Sequence, residues 1–132
     1  MTSPDDRAKI LVVDDEVEFC SLLQEYFKDQ YTIKVAYDGQ EALRQIREFQ
    51  PDCLLLDLRM PEMDGIAVLK SLKDSGSGIK VLVVTASGKM ETARECLELG
   101  ALDYIIKPIE LDEVAGKIKF ALENKKNGVP GS

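Results

Sequence analysis

Four short apolar runs along this chain each lead directly into residues that can take part in chemistry. These residues and the runs before them are Asp14 and Asp15 after Ile10-Leu11-Val12-Val13, Asp57 after Cys53-Leu54-Leu55-Leu56, Thr85 after Val81-Leu82-Val83-Val84, and Lys107 after Tyr104-Ile105-Ile106. Apolar runs of this length and composition predict β-strands. In an open parallel sheet, ligands bind at the carboxyl ends of the strands. We therefore expect these five side chains to form one acidic pocket.

The predicted pocket concentrates negative charge that must be compensated. Each pair of like charges about 4 Å apart costs about 1 kcal/mol even in water, and more where the pair is partly buried. Protons or a cation must therefore offset Asp14, Asp15 and Asp57. Hard carboxylate oxygens without cysteine or histidine suit Mg²⁺, with Mn²⁺ as a substitute. The sequence predicts a divalent metal site at this position.

Carboxylates beside a divalent metal and a lysine also suit phosphoryl chemistry. A carboxylate can act as a nucleophile and form an aspartyl-phosphate. The metal and the Lys107 ammonium would neutralise charge on the phosphoryl oxygens in the transition state. Asp57 is the predicted nucleophile, because its neighbours Asp14 and Asp15 supply the metal ligands.

The elements that must position these residues follow from the hydrophobic periodicity, which alternates five times between strand-like runs and helical spacing. A further strand is predicted at Thr32 to Ala36. The first predicted helix extends from Phe19 through Lys28. The others are predicted over Ala42 to Phe49, over Ile66 to Leu72, near Lys89 to Leu99, and over Leu111 to Leu122. Continuously apolar strands are typical of a parallel sheet covered by helices on both faces. The predicted fold is therefore α/β, a doubly wound, five-stranded, flavodoxin-like sheet of order 2-1-3-4-5.

Local signals place the ends of several predicted helices. Pro51 closes the second helix, Asp64 is a candidate N-cap for the third, and Gly100 is placed to cap the C-terminus of the fourth. Met60-Pro61 and Met63-Asp64-Gly65 predict a turn after Asp57. Gly116 in the final helix costs about 1 kcal/mol relative to alanine, so we expect that helix to be the least rigid.

Composition narrows the class of protein. The 132 residues, 45% of them hydrophobic, fit one domain with its own core. A formal net charge of −7 without a Lys/Arg cluster argues against binding nucleic acid. The sequence contains neither an apolar run of membrane-spanning length nor a secretory signal, so we expect a cytoplasmic protein without a membrane partner.

Cysteine and histidine usage restricts the chemistry. The three cysteines, Cys20, Cys53 and Cys96, are widely separated and lie among apolar residues, which predicts reduced core thiols. The chain contains no histidine. It therefore cannot carry a phosphohistidine itself, and any histidine in the reaction must come from a partner.

Four segments in order resemble the receiver domain of bacterial two-component response regulators. They are Asp14-Asp15, Leu55 to Gly65 (LLDLRMPEMDG), Val84-Thr85-Ala86 and Ile106-Lys107-Pro108. The resemblance covers residues 9–124, which leaves residues 1–8 as an N-terminal tail and 125–132 as a C-terminal tail or linker.

The resemblance implies a signalling phosphoacceptor that catalyses only its own phosphorylation and dephosphorylation. The phosphoryl group would pass to Asp57 from a sensor histidine kinase or a histidine phosphotransfer protein. Mg²⁺ would be held by Asp15, Asp57 and the backbone carbonyl of Arg59, with Asp14 acting through water. Thr85 and Tyr104 would be the switch residues, and the Lys107-Pro108 peptide bond would be cis.

The predicted output surface consists of the fourth helix, the fifth strand and the fifth helix, because Thr85 and Tyr104 border it. Its partner is a downstream effector protein, or an effector domain if the chain belongs to a longer transcription factor or kinase. A weak homodimer formed on phosphorylation is compatible with the sequence, but no residue points to it.

Arg59 and Ser87, each two residues beyond a site residue, are predicted to tune the lifetime of the phosphorylated state. We expect Arg59 to slow hydrolysis by crowding the phosphoryl group or pairing with it. Faster decay of the phosphorylated Arg59→Ala protein would support this role, and unchanged decay would reject it.

Three other classes share parts of this pattern. An aspartate-nucleophile phosphatase would carry an Asp-x-Asp nucleophile on the first strand, a spacing that Asp14-Asp15-Glu16 does not supply. A flavin or nucleotide carrier of the same fold would need a phosphate-binding loop where this chain has acids. A receiver-like module that only binds proteins would ordinarily have lost one of the five positions, and all five are present here.

Overall fold

The chain folds into a five-stranded parallel sheet flanked by five helices. The structure is a computed structural model that describes residues 7–60 and 63–127. Its elements are β1 Lys9–Val13, α1 Val17–Phe27, β2 Thr32–Ala36, α2 Gly39–Phe49, β3 Cys53–Leu56, α3 Gly65–Ser75, β4 Lys80–Thr85, α4 Met90–Glu98, β5 Asp103–Ile106 and α5 Leu111–Asn127. The sheet order is β2-β1-β3-β4-β5, with every neighbouring pair parallel. The predicted fold class and strand order are confirmed.

The sheet has a separate apolar core on each face, because successive strand residues point to opposite sides. On one face, Leu11, Val13, Leu54 and Leu56 pack with buried residues of α2, α3 and α4. On the other face the strand residues pack against α1 and α5, and the cluster there consists of Ile10, Val12, Cys53, Leu55, Leu82, Val84 and Ile105 with Cys20, Leu23, Phe27, Val114, Ile118 and Ala121. Burial on both faces explains why these strands are continuously apolar.

The predicted helix ends are largely confirmed. The side chain of Asp64 accepts a hydrogen bond from the Ala67 backbone N–H at 3.0 Å and so caps α3. Asp38 caps α2 in the same way through the Glu41 N–H at 2.8 Å. Gly100 follows α4 with a φ of +103°, in the left-handed region that glycine adopts without strain.

The last helix is longer than the sequence predicted. α5 continues to Asn127, so the segment predicted to be a tail from Lys125 onward begins as helix. The reason is local, since residues that tolerate helix continue until Gly128. Pro61 of the predicted turn, most of the N-terminal tail and residues 128–132 lie outside the described residues.

The three cysteines are buried and unpaired, as the sequence predicted. Burial raises the pKa of Cys20 and of Cys53 to about 12 and that of Cys96 to about 11. These thiols therefore stay protonated at neutral pH. Within residues 7–60 and 63–127, no helix is long and apolar enough to cross a membrane.

Candidate functional site

The predicted site residues occupy the carboxyl edge of the sheet. Asp14 directly follows β1, Asp57 follows β3 and Lys107 follows β5, while Thr85 is the last residue of β4. Asp57 and Asp14 belong to adjacent strands, because Val13 pairs with Leu56 in the sheet register. In the described part of the chain, the buried polar or charged residues are Asp14, Asp57 and Thr85. All of them belong to this site.

Three carboxylates converge within the reach of one small cation. Asp14, Asp15 and Asp57 each offer an oxygen, and these oxygens all lie within 4.8 Å of one another. Asp14 and Asp57 are buried, whereas Asp15 is exposed at the mouth of the cluster. Three hard oxygen donors, one of them open to solvent, fit Mg²⁺ or Mn²⁺ with water in the remaining positions.

Lys107 supplies positive charge to the same cluster. Its ammonium lies 2.7 Å from Asp14 Oδ2 and 3.5 Å from Asp57 Oδ2. Burial acts to lower the pKa of Lys107, but hydrogen bonds to Asp14 and Glu16 outweigh it and raise the pKa above its ordinary value. The ammonium is therefore charged at every physiological pH. The Lys107-Pro108 peptide bond that leads away from this residue is cis, as the resemblance implied.

Asp14 is the most strongly desolvated acid of the cluster. Burial raises its pKa above the ordinary value, although the hydrogen bond from Lys107 opposes the shift. Asp14 Oδ1 also accepts the Glu16 backbone N–H at 2.9 Å, and the Cys20 thiol donates to the Asp14 carbonyl at 3.3 Å. These contacts tie Asp14 to the backbone and side chains that lead from β1 into α1.

The loop after β3 positions Asp57. The Arg59 backbone N–H donates to Asp57 Oδ1 at 3.3 Å, and the Gly65 N–H donates to the Leu58 carbonyl at 3.1 Å. A Cβ atom on Gly65 would lie 2.5 Å from the Asp57 carbonyl oxygen and 2.8 Å from Leu58 Cα. Only glycine allows α3 to approach the backbone at Asp57 this closely.

The two predicted switch residues meet at one short segment. The Tyr104 hydroxyl donates to the Ser87 carbonyl at 2.8 Å, and the Ser87 backbone N–H lies 3.5 Å from Thr85 Oγ1. Tyr104 is half-buried, and burial raises its pKa. Thr85 and Tyr104 are thereby joined through Ser87. The roles of Arg59 and Ser87 in tuning the phosphorylated lifetime stay predictions.

Sequence reasoning missed three residues of this site. Glu16 Oε1 lies 2.8 Å from the Lys107 ammonium, and the Phe19 ring centroid lies 4.4 Å from it. Gly65 was predicted only as part of a turn. The proximity of Glu16 to Asp14 and Asp15 was the one available signal, but nothing in the sequence shows that its side chain turns toward Lys107.

Comparisons of the sequence and of the structure with known proteins all point to one protein family. The family model described as "Response regulator receiver domain" matches residues 10–119. The transcriptional regulatory protein ZraR of Salmonella typhimurium is 45% identical over 121 residues, which cover 91% of this chain and 27% of ZraR. The chain thus spans about a quarter of that regulator's length.

Two further proteins are similar over nearly their whole length. Sporulation initiation phosphotransferase F of Bacillus subtilis is 40% identical over 90% of this chain and 97% of its own. The crystal structure of a CheY-like response regulator receiver domain protein from Methanospirillum hungatei superimposes with a TM-score of 0.88 at 26% identity. That alignment covers 93% of this chain and 99% of the other.

Proposed function

Because the chain belongs to the response regulator receiver domain family, we propose that it is a signalling domain that accepts a phosphoryl group on Asp57 from a partner's histidine. The observation that carries the proposal is the setting of the Asp57 carboxylate. It is buried, shares a cluster with Asp14 and Asp15, and has the Lys107 ammonium 3.5 Å from Oδ2. The 132 residues contain no histidine, and we propose that the donor's histidine lies on a sensor kinase or phosphotransfer protein.

The metal that suits this proposal is Mg²⁺, with Mn²⁺ as a substitute. Asp15 and Asp57 would hold it together with the backbone carbonyl of Arg59, and Asp14 would act on it through water. When bound, the ion neutralises charge on the transferred phosphoryl oxygens. The family resemblance supports the carbonyl ligand, and the carboxylate cluster supports the roles of the three aspartates.

In the proposed reaction a carboxylate oxygen of Asp57 forms a bond to phosphorus while the bond from phosphorus to the donor's histidine nitrogen breaks. The bonding electron pair leaves with that nitrogen. Lys107 stabilises negative charge on the phosphoryl oxygens, and buried Asp14 keeps the ammonium at the pocket. The Arg59 N–H orients Asp57 through Oδ1. This chain therefore supplies the acceptor, its orientation and one compensating charge.

We propose that the Thr85 hydroxyl then moves to the phosphoryl group and that Tyr104 follows through Ser87. The surface this would alter consists of α4, β5 and α5. Large apolar side chains are exposed there, namely Met90, Leu97, Ile106 and Phe120. Such side chains suit a protein partner, so the output is proposed to be a downstream effector protein or effector domain. The receiver unit itself is proposed to span residues 9–124.

Intact-mass spectrometry after incubation with Mg²⁺ and acetyl phosphate tests the proposal. We expect a phosphoryl adduct on the wild type and on Asp74→Asn, an exposed aspartate near the C-terminal end of α3, but not on Asp57→Asn. An adduct on Asp57→Asn would move the acceptor elsewhere. A wild type that binds Mg²⁺ but never gains the adduct would favour a module that signals without phosphorylation.

A further inference from the structure

The Lys107 ammonium lies on the α1 side of the pocket rather than over Asp57. Its distances to Asp14 Oδ2 and Glu16 Oε1 are 2.7 and 2.8 Å, whereas Asp57 Oδ2 is 3.5 Å away. Charge-assisted N–H···O bonds are normally about 2.7–2.9 Å long. The ammonium therefore makes two strong hydrogen bonds on the α1 side, and the contact with the acceptor is long.

Glu16 directs its side chain to Lys107 instead of to its own helix. It occupies the N-cap position of α1, where a side chain commonly accepts a hydrogen bond from the first helical amides. The Glu16 side chain makes no such bond. Its carboxylate is paired with the ammonium although 63% of the side chain is exposed to solvent.

An ammonium has three N–H donors, and here three carboxylates surround it. A phosphoryl group on Asp57 adds anionic oxygens beside this ammonium, and any shift of Lys107 toward them lengthens one of its two short bonds. The Asp14 side chain is only 2% exposed, so leaving it unpaired is costly. Glu16 is exposed, and water can replace Lys107 there. The Glu16 bond is the one to be released.

We propose that Glu16 is a positioning residue that competes with the phosphoryl group for Lys107 and so restrains phosphorylation of Asp57. This inference rests on the proposed function. It assigns to Glu16 a regulatory effect on the acceptor without contact with the phosphoryl group.

Removing the Glu16 charge has an opposing effect through the metal, since it makes the neighbouring carboxylate cluster less attractive to a cation. The effect on Mg²⁺ binding and the effect on Lys107 can be separated. Each variant is first titrated with Mg²⁺, and the variants are then compared at a saturating Mg²⁺ concentration. Any remaining difference between variants reports on Lys107 and the phosphoryl group.

The test measures the affinity of the whole chain for beryllofluoride, a non-transferable phosphoryl analogue, by ¹⁹F NMR at saturating Mg²⁺, alongside the rate of phosphorylation by acetyl phosphate. The variants are Glu16→Gln, Glu16→Ala and Glu16→Asp, with Glu18→Gln as the matched control. Glu18 is exposed, two residues away and of the same charge. We expect Glu16→Gln and Glu16→Ala to bind about two- to fivefold more tightly, the range for one exposed ion pair, and Glu18→Gln to match the wild type.

Glu16→Asp separates competition from simple charge repulsion, because it keeps the charge on a side chain one methylene shorter. If competition for Lys107 operates, this variant behaves like Glu16→Gln. An aspartate variant identical to the wild type, or glutamine and alanine variants that bind no more tightly, would overturn the inference. A wild type that neither binds beryllofluoride nor gains a phosphoryl group would instead refute the proposed function.

Discussion

The negative charge of Asp57 adds to the electrostatic repulsion between the carboxylates of the pocket when no cation is bound. In the part of the chain that the structure describes, Asp57 forms an ion pair with Lys107 and shares a cluster with two other carboxylates, whose negative charges repel its own. An Asp57→Asn substitution preserves the size of the side chain and an acceptor for the Arg59 N–H. It therefore removes repulsion with little change in packing.

We expect Asp57→Asn to be more stable than the wild type in EDTA, by up to about 1 kcal/mol, the cost of one like-charge pair in water. Mg²⁺ should reverse the order, because only the wild type has the full ligand set and binding stabilises the folded state. Urea unfolding with and without Mg²⁺ measures both effects, and Asp74→Asn provides the control. A wild type whose stability is indifferent to Mg²⁺ would argue against the metal site.

At the scale of elements, two glycines in helices have opposite consequences. A Cβ atom on Gly65 would collide with the backbone at Asp57 and Leu58, whereas one on Gly116 of α5 would meet no atom within 4 Å. The first glycine allows α3 to pack against the acceptor loop. The second occupies an exposed helical position where alanine fits.

We predict that Gly65→Ala destabilises the protein by about 1–3 kcal/mol and slows phosphorylation, since the loop holding Asp57 must shift. Gly116→Ala should instead stabilise it by about 0.5–1 kcal/mol through helix propensity, with phosphorylation unchanged. Urea denaturation combined with the acetyl phosphate assay checks both variants. Equal effects of the two substitutions on the free energy of unfolding would show that the close approach of α3 to the backbone at Gly65 does not affect stability.

The sequence predicted elements better than it predicted contacts between them. Apolar runs such as Cys53 to Leu56 are set by burial on both faces of the sheet, and Asp64 and Gly100 carry local capping signals, so these features could be predicted. The turn of Glu16 toward Lys107 depends on how the start of α1 meets the end of β5. Packing over 91 residues of separation determines that contact, and no local pattern encodes it.

At the scale of the whole molecule, the two cores bury thiols that couple folding to pH. The thiols of Cys53 and Cys96 have pKa values raised to about 12 and about 11 by burial, against about 8.5 in an unfolded chain. Above pH 8.5 the unfolded chain therefore releases thiol protons that the folded protein retains. Stability falls as pH rises, because the unfolded state binds fewer protons. Lys107, whose pKa is also raised, keeps its full contribution only up to about pH 10.4, the ordinary pKa of lysine.

We expect the free energy of unfolding to decline between about pH 8.5 and 10, by at most about 1.4 kcal/mol per thiol per pH unit. Urea unfolding at several pH values measures the slope. Cys53→Ala should be less stable at pH 7 but show a shallower decline, because one titrating group is gone. A variant with the wild-type slope would show that this thiol does not contribute to the pH dependence.

The strand order β2-β1-β3-β4-β5 has a consequence during synthesis, while the ribosome has made only part of the chain. Lys107 follows the edge strand β5 and lies 93 residues after Asp14, with which it pairs. At about 5–20 residues per second, a ribosome needs about 5–20 s to progress from one to the other. For the last 50 residues of that interval the growing chain already contains its acceptor, Asp57, but not the ammonium that completes the pocket. We expect nascent chains to be poor phosphoryl acceptors, so that only a fully translated domain responds to its donor.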